Sequence, residues 1–138
     1  MSVSFLTLDE VLALHADQIE RYGGHAGVRD RGLLSSAVGM AEVSFEGEFL
    51  HGSIHEMAAA YLFHICKNHP FLDGNKRTAL ASCLAFLWIN DLEVVAEPTD
   101  IAELVLGVAG GKTGKAQVAV YLAGVSRQAE RGGERDRT

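Results

Sequence analysis

Residues 53–89 run SIHEMAAAYLFHICKNHPFLDGNKRTALASCLAFLWI, two apolar periodic segments around a short polar loop. Ile54, Met57, Ala58, Tyr61, Leu62 and Ile65 recur at the spacing of one helical face. Ser53 followed by Glu56 forms a capping box at its start. Beyond the loop, Ala79, Leu80, Cys83, Leu84 and Leu87 repeat the pattern, with no proline or glycine before Asn90. A helix is therefore expected over 53–67 and another over 75–89. The second is apolar almost all round, through Phe86, Leu87, Trp88 and Ile89, and is expected to be the central buried helix.

Working outward, Thr7 with Glu10 suggests a capping box for a helix whose inward residues are Leu8, Val11, Leu12, Ile19 and Tyr22. Asp30 should cap another, with Leu33, Leu34, Ala37, Val38 and Ala41 inward. Further helices are expected near Thr99, after Pro98, and near Thr113. The expected class is all-α, a compact domain of about six helices. Residues 1–125 would form it. Residues 126–138, rich in Arg, Glu, Asp and Gly, read as a disordered tail.

With 138 residues and 48% hydrophobic content, the chain can bury one core without disulfides or metals. Cys66 and Cys83 fall inside apolar patterns, where free thiols are expected. A net charge of −6 argues against direct DNA binding, which needs a basic face. No apolar stretch of membrane-spanning length and no signal peptide stand in the sequence, so a cytoplasmic address is expected.

The loop carries the chemistry. Asn75, Lys76 and Arg77 open a helix, whose unpaired N–H groups and positive dipole end attract anions before any side chain is counted. Gly74 permits close approach, and two cations add charge-assisted bonds to phosphates. Asp73 suits Mg²⁺, which binds through one or two carboxylates when a nucleotide supplies other oxygens. His69 can act as a general base on an incoming hydroxyl. Taken singly, each has an ordinary structural role: Asp73 and Gly74 as a turn, Asn75 as a cap, the cations as solvated charge. It is their coincidence that points to a site. Lys at a helix start is also unfavourable to the helix, and a bound anion would offset that.

Three look-alikes fail. Gly107, Gly111, Lys112 and Thr113 imitate a phosphate-binding loop, but the spacing is one residue short and a helix precedes it. His55 and Glu56 begin like a zinc-protease helix, yet position 59 is Ala. His51, His55, His64 and His69 are too irregularly spaced to suggest a metal cluster.

HPFLDGNKRTAL at 69–80 resembles the signature of the Fic/Doc family, in its Doc (death on curing) branch. Gly23, Gly24, Gly27, Val28, Arg29, Asp30, Gly32, Leu33, Leu34, Ser36 and Ala37 are similar to the family's N-terminal segment. AMP-transferring members resemble H-x-F-x-(D/E)-G-N-G-R-x-x-R. Here Lys76 replaces the second glycine and Leu80 the second arginine. The resemblance implies transfer of the γ-phosphoryl of ATP to a Ser or Thr hydroxyl of a protein. His69, Asp73, Asn75 and Arg77 would be catalytic, Gly74, Asn75, Lys76 and Arg77 would hold the phosphates, and Asp73 would take Mg²⁺. Phe71 would anchor the loop. Gly74 belongs to the AMP-transferring pattern, so AMP transfer is the alternative, and a catalytically inactive binding module is a second.

Many Fic proteins carry an inhibitory S/T-x-x-x-E-(G/N) motif. Ser44 with Glu48 is followed by Phe49, and Ser126 with Glu130 by Arg131, so neither fits. By resemblance the protein would be the toxin of a toxin–antitoxin pair, restrained by the flexible C-terminal segment of an antitoxin. Its target would be a translation factor such as elongation factor Tu. Residues 43–49 resemble the family's β-hairpin flap, or else form a loop with two buried phenylalanines.

Overall fold

In the computed structural model, which describes residues 2–130, the chain runs α1 (Leu8–Tyr22), α2 (Arg31–Gly39), a 3-10 turn (Met40–Glu42), β1 (Ser44–Phe45), β2 (Glu48–Phe49), α3 (Ile54–Asn68), α4 (Asn75–Ile89), β3 (Leu92–Val94), α5 (Pro98–Ala109), α6 (Lys115–Val125) and β4 (Ser126–Gln128). The expected compact domain of about six helices is what forms, with two small antiparallel strand pairs beside them. The caps fall where local chemistry puts them. Thr7 and Glu10 close a capping box, as do Ser53 and Glu56, and Asp30 accepts from the Leu33 N–H.

The central helix is α3, a correction to the expectation for α4. It packs against α2, α4, α5, α6 and the 3-10 turn, and Met57 to Leu62, Ile65 and Cys66 are all buried. Three alanines in succession, Ala58 to Ala60, let neighbours approach from more than one side. Helix α4 flanks α3 and leaves Trp88 45% and Ile89 38% exposed. Its apolar composition showed which faces could be covered, but not that its outer face stays partly exposed among the described residues. Tyr22 and Leu33, expected inward, are likewise exposed. Cys66 and Cys83 are buried free thiols, and burial pushes the Cys83 thiol up to about 12.

The tail expectation needs a second correction. Ser126–Gln128 pair antiparallel with Leu92–Val94, the Ala129 N–H donates to the Asp91 carbonyl at 2.8 Å, and Ala129 is buried. The folded domain therefore extends past residue 125. Residues 131–138 of the expected tail lie outside the described residues.

Residues 43–49 do form a hairpin, β1 pairing with β2. Phe45 is 76% exposed, while Phe49 packs on Phe5 at 5.5 Å. The alternative of two buried phenylalanines is overturned. Among the described residues, no helix is long and apolar enough to cross a membrane.

Candidate active site

Helix α3 ends at His69, which adopts φ 51°, ψ 55°, the left-handed conformation that usually belongs to glycine at a helix terminus. Its side chain is exposed. Pro70 and buried Phe71 follow, and then Asp73 and Gly74 turn the chain into α4. Gly74 has φ 76°, which explains the glycine through backbone geometry alone. No side chain caps α4. Its first-turn N–H groups are thus left for an anion.

Asp73 accepts from the Gly74 N–H at 2.8 Å and the His25 N–H at 3.2 Å. The amide of His25, then that of Gly74, holds the carboxyl below its ordinary range, opposed by partial desolvation and helped by the Arg77 charge. A carboxylate has about four lone-pair sites, so two such bonds leave room for a metal ion. Lys76 is exposed at the mouth of the helix.

Two residues expected to face phosphates have structural duties as well. Asn75 is buried, its side chain accepting from the Phe71 N–H at 2.8 Å and donating to the Phe71 carbonyl at 3.0 Å. What Asn75 offers a ligand is its backbone. Arg77 reaches back to α1, donating to the Gly23 carbonyl at 2.9 Å and lying over the Tyr22 ring. Several of its five N–H donors remain for a phosphate.

Sequence reasoning did not name His15 and, although it quoted Gly24, Gly27, Val28, Arg29 and Asp30 for their resemblance, gave them no part in holding the loop. His15, on α1, is buried with its ring stacked on Phe71 at 3.7 Å and 5°, and its Nε2 lies 2.8 Å from the Asp73 carbonyl. A lone histidine in an otherwise apolar helical pattern carries no local signal of this. Segment 27–30 runs along the loop. Val28 bridges Phe71, the Leu72 N–H donates to the Gly27 carbonyl, and the N–H groups of Arg29 and Asp30 both reach the Pro70 carbonyl. The Arg29 side chain donates from Nε to the His69 carbonyl at 2.7 Å and from Nη2 to the Asn68 carbonyl at 3.0 Å. Gly24 sits so close to Asp73 that a Cβ there would fall 2.6 Å from the carboxylate.

The look-alikes behave as ordinary helix chemistry. The Lys112 and Thr113 N–H groups both donate to the Gly107 carbonyl, closing the end of α5. Glu56 accepts from the Gly52 and Ser53 N–H groups.

A loop joining a general-base candidate, an ionised carboxylate and an uncapped helix start can bind a polyphosphate with a divalent ion beside an acceptor hydroxyl. Comparison with known proteins agrees in kind. The model of the Fic/DOC family matches residues 5–87. The chain is similar to the protein kinase Doc of Escherichia phage P1, 36% identical over 122 residues covering 88% of this chain and 95% of that protein. It is also similar to the toxin Doc of Mycolicibacterium smegmatis, 37% identical over 113 residues covering 80% and 87%.

Proposed function

The chain belongs to the Fic/Doc family, and from that premise we propose that it is a Doc-like toxin that phosphorylates a protein on Ser or Thr. The observation that carries this reading is the uncapped start of α4 beside ionised Asp73 and exposed His69. The residues present fit ATP with Mg²⁺. Asp73 would hold the metal, and the amides of 75–77 with Gly74, Lys76 and Arg77 would hold the phosphates. When bound, ATP supplies the transferable phosphoryl group. His69 takes the proton from the acceptor hydroxyl, a contribution on the order of 10²- to 10⁴-fold in rate. Lys76, Arg77 and the helix start neutralise phosphate charge, and Asp73 would hold the cation beside it, which is most of what phosphoryl transfer asks of a protein.

AMP transfer is the competing chemistry. Lys76 places a side chain where the corresponding pattern has glycine, and Leu80 supplies no second guanidinium. Gly74, the one feature in its favour, suits a left-handed turn whatever the substrate.

The proposed restraint is a partner chain. A groove of about 400 Å³ lined by Gln18, Tyr22, Arg77, Leu80, Ala81 and Leu84 adjoins the phosphate-binding cations, and an antitoxin's flexible C-terminal segment folding there would cover them. The proposed target is a translation factor such as elongation factor Tu, reached in the cytoplasm.

The test is intact-mass analysis of a bacterial translation extract incubated with Mg²⁺, ATP and either wild-type protein or His69→Ala. A His69-dependent gain of about 80 Da on one protein, one phosphoryl group, is the expected result. The several-fold heavier adenylyl group would establish AMP transfer instead, and no His69-dependent gain would favour a binding role.

A further inference from the structure

We propose that Arg29 is a positioning residue for His69, a role that rests on reading His69 as the general base. Arg29 lies forty residues before His69 in sequence and is exposed, yet it holds three successive carbonyls. Nη2 binds that of Asn68 at 3.0 Å, Nε that of His69 at 2.7 Å, and its backbone N–H that of Pro70 at 2.7 Å.

The geometry matters because φ and ψ of His69 relate the peptide planes on its two sides, and each plane is rigid. The Asn68 carbonyl belongs to the first plane and the His69 carbonyl to the second. Both are tied to one planar guanidinium, whose donors have a fixed mutual orientation. The fork therefore sets the angle between the planes, and with it the direction in which the His69 side chain leaves the backbone. That angle needs holding, because φ 51° is a conformation L-residues with a Cβ avoid. Lysine, whose three donors rotate on one nitrogen, could bond a carbonyl but could not fix one plane against the other.

A plain helix-terminating cap would make the same two side-chain bonds and matter only to stability. The two roles separate in Arg29→Gln and Arg29→Lys, both at an exposed position where the fold should survive. Two readouts are taken on the full chain. One is the His69 backbone angle, from chemical shifts and couplings of isotope-labelled protein. The other is kcat and KM for ATP, using the acceptor protein identified in the translation extract. Positioning predicts that Arg29→Gln lets His69 leave the left-handed region and lowers kcat by about 10- to 100-fold, as small misplacements of reacting groups do, with KM for ATP within about twofold. Arg29→Lys should recover part of the loss. The proposal is overturned if His69 keeps its positive φ in Arg29→Gln, or if kcat stays near that of an active wild type. Should the wild type transfer nothing in a His69-dependent way while Arg29→Gln still frees the backbone, the phosphotransfer reading fails and the hold of Arg29 on His69 stands.

Discussion

The two ends of the candidate active-site loop are held by opposite means. At the His69 end the grip is on the surface: an exposed guanidinium bonded to the carbonyls that close α3. At the Asp73–Asn75 end it is in the core: a buried amide paired twice with Phe71, and a buried imidazole lying flat on the same ring. A surface grip exchanges with water when lost, so removing it costs little stability. A buried grip leaves orphaned polar groups and a void. The loop can thus be loosened at the proposed base without unfolding, but at the proposed phosphate-binding end its shape and the stability of the fold are one property.

Substitutions sharpen or break this contrast, and the largest effect should come from Asn75→Ala. It strands the buried Phe71 N–H and carbonyl, each worth about 1–3 kcal/mol when left unpaired. Urea unfolding should show a loss of about 2–4 kcal/mol. If the loss is no larger than that of Arg29→Gln, the two ends are not held differently. Next comes His15→Ala, which removes the ring stack on Phe71 and the bond to the Asp73 carbonyl. We expect about 2 kcal/mol from the same measurement, with Asp73 and Gly74 amides exchanging hydrogen faster. Unchanged exchange would show that His15 is mere filling.

The smallest effect carries the opposite sign. His69→Gly places glycine in a left-handed position that suits it, relieving about 1 kcal/mol. Calorimetry should find Tm higher by about 3 °C while His69-dependent transfer disappears. That outcome would show stability given up for chemistry at the exposed end. A lower Tm would mean that the imidazole contributes packing there after all.

Much of this was legible beforehand for an identifiable reason. Thr7, Asp30 and Ser53 cap through bonds to residues three positions on, so a short window of sequence contains both partners. The start of α4 carries no such cap, but it and its cations are likewise adjacent in the chain. His15 and Arg29 could not be found this way. Their partners lie 58 and 40 residues off, and neither belongs to a local pattern that distinguishes a surface cation or a core imidazole from a loop clamp. Asn75 is not the cap expected of it: Gly74 stands at the N-cap, and the Asn75 side chain bonds inward to both backbone groups of Phe71.

What the sequence determined by itself was whatever depends on near neighbours: the helices, their beginnings, and the concentration of acid, base and cations between two of them. Tertiary structure decided the rest. It made α3 the centre in place of α4, drew Ser126–Gln128 out of the expected tail onto Leu92–Val94, and chose which residues clamp the loop. Helical hydrogen bonds close within four residues and leave a periodic trace, whereas the burial of a face or the docking of a strand is settled only by what the distant parts of the chain bring against it.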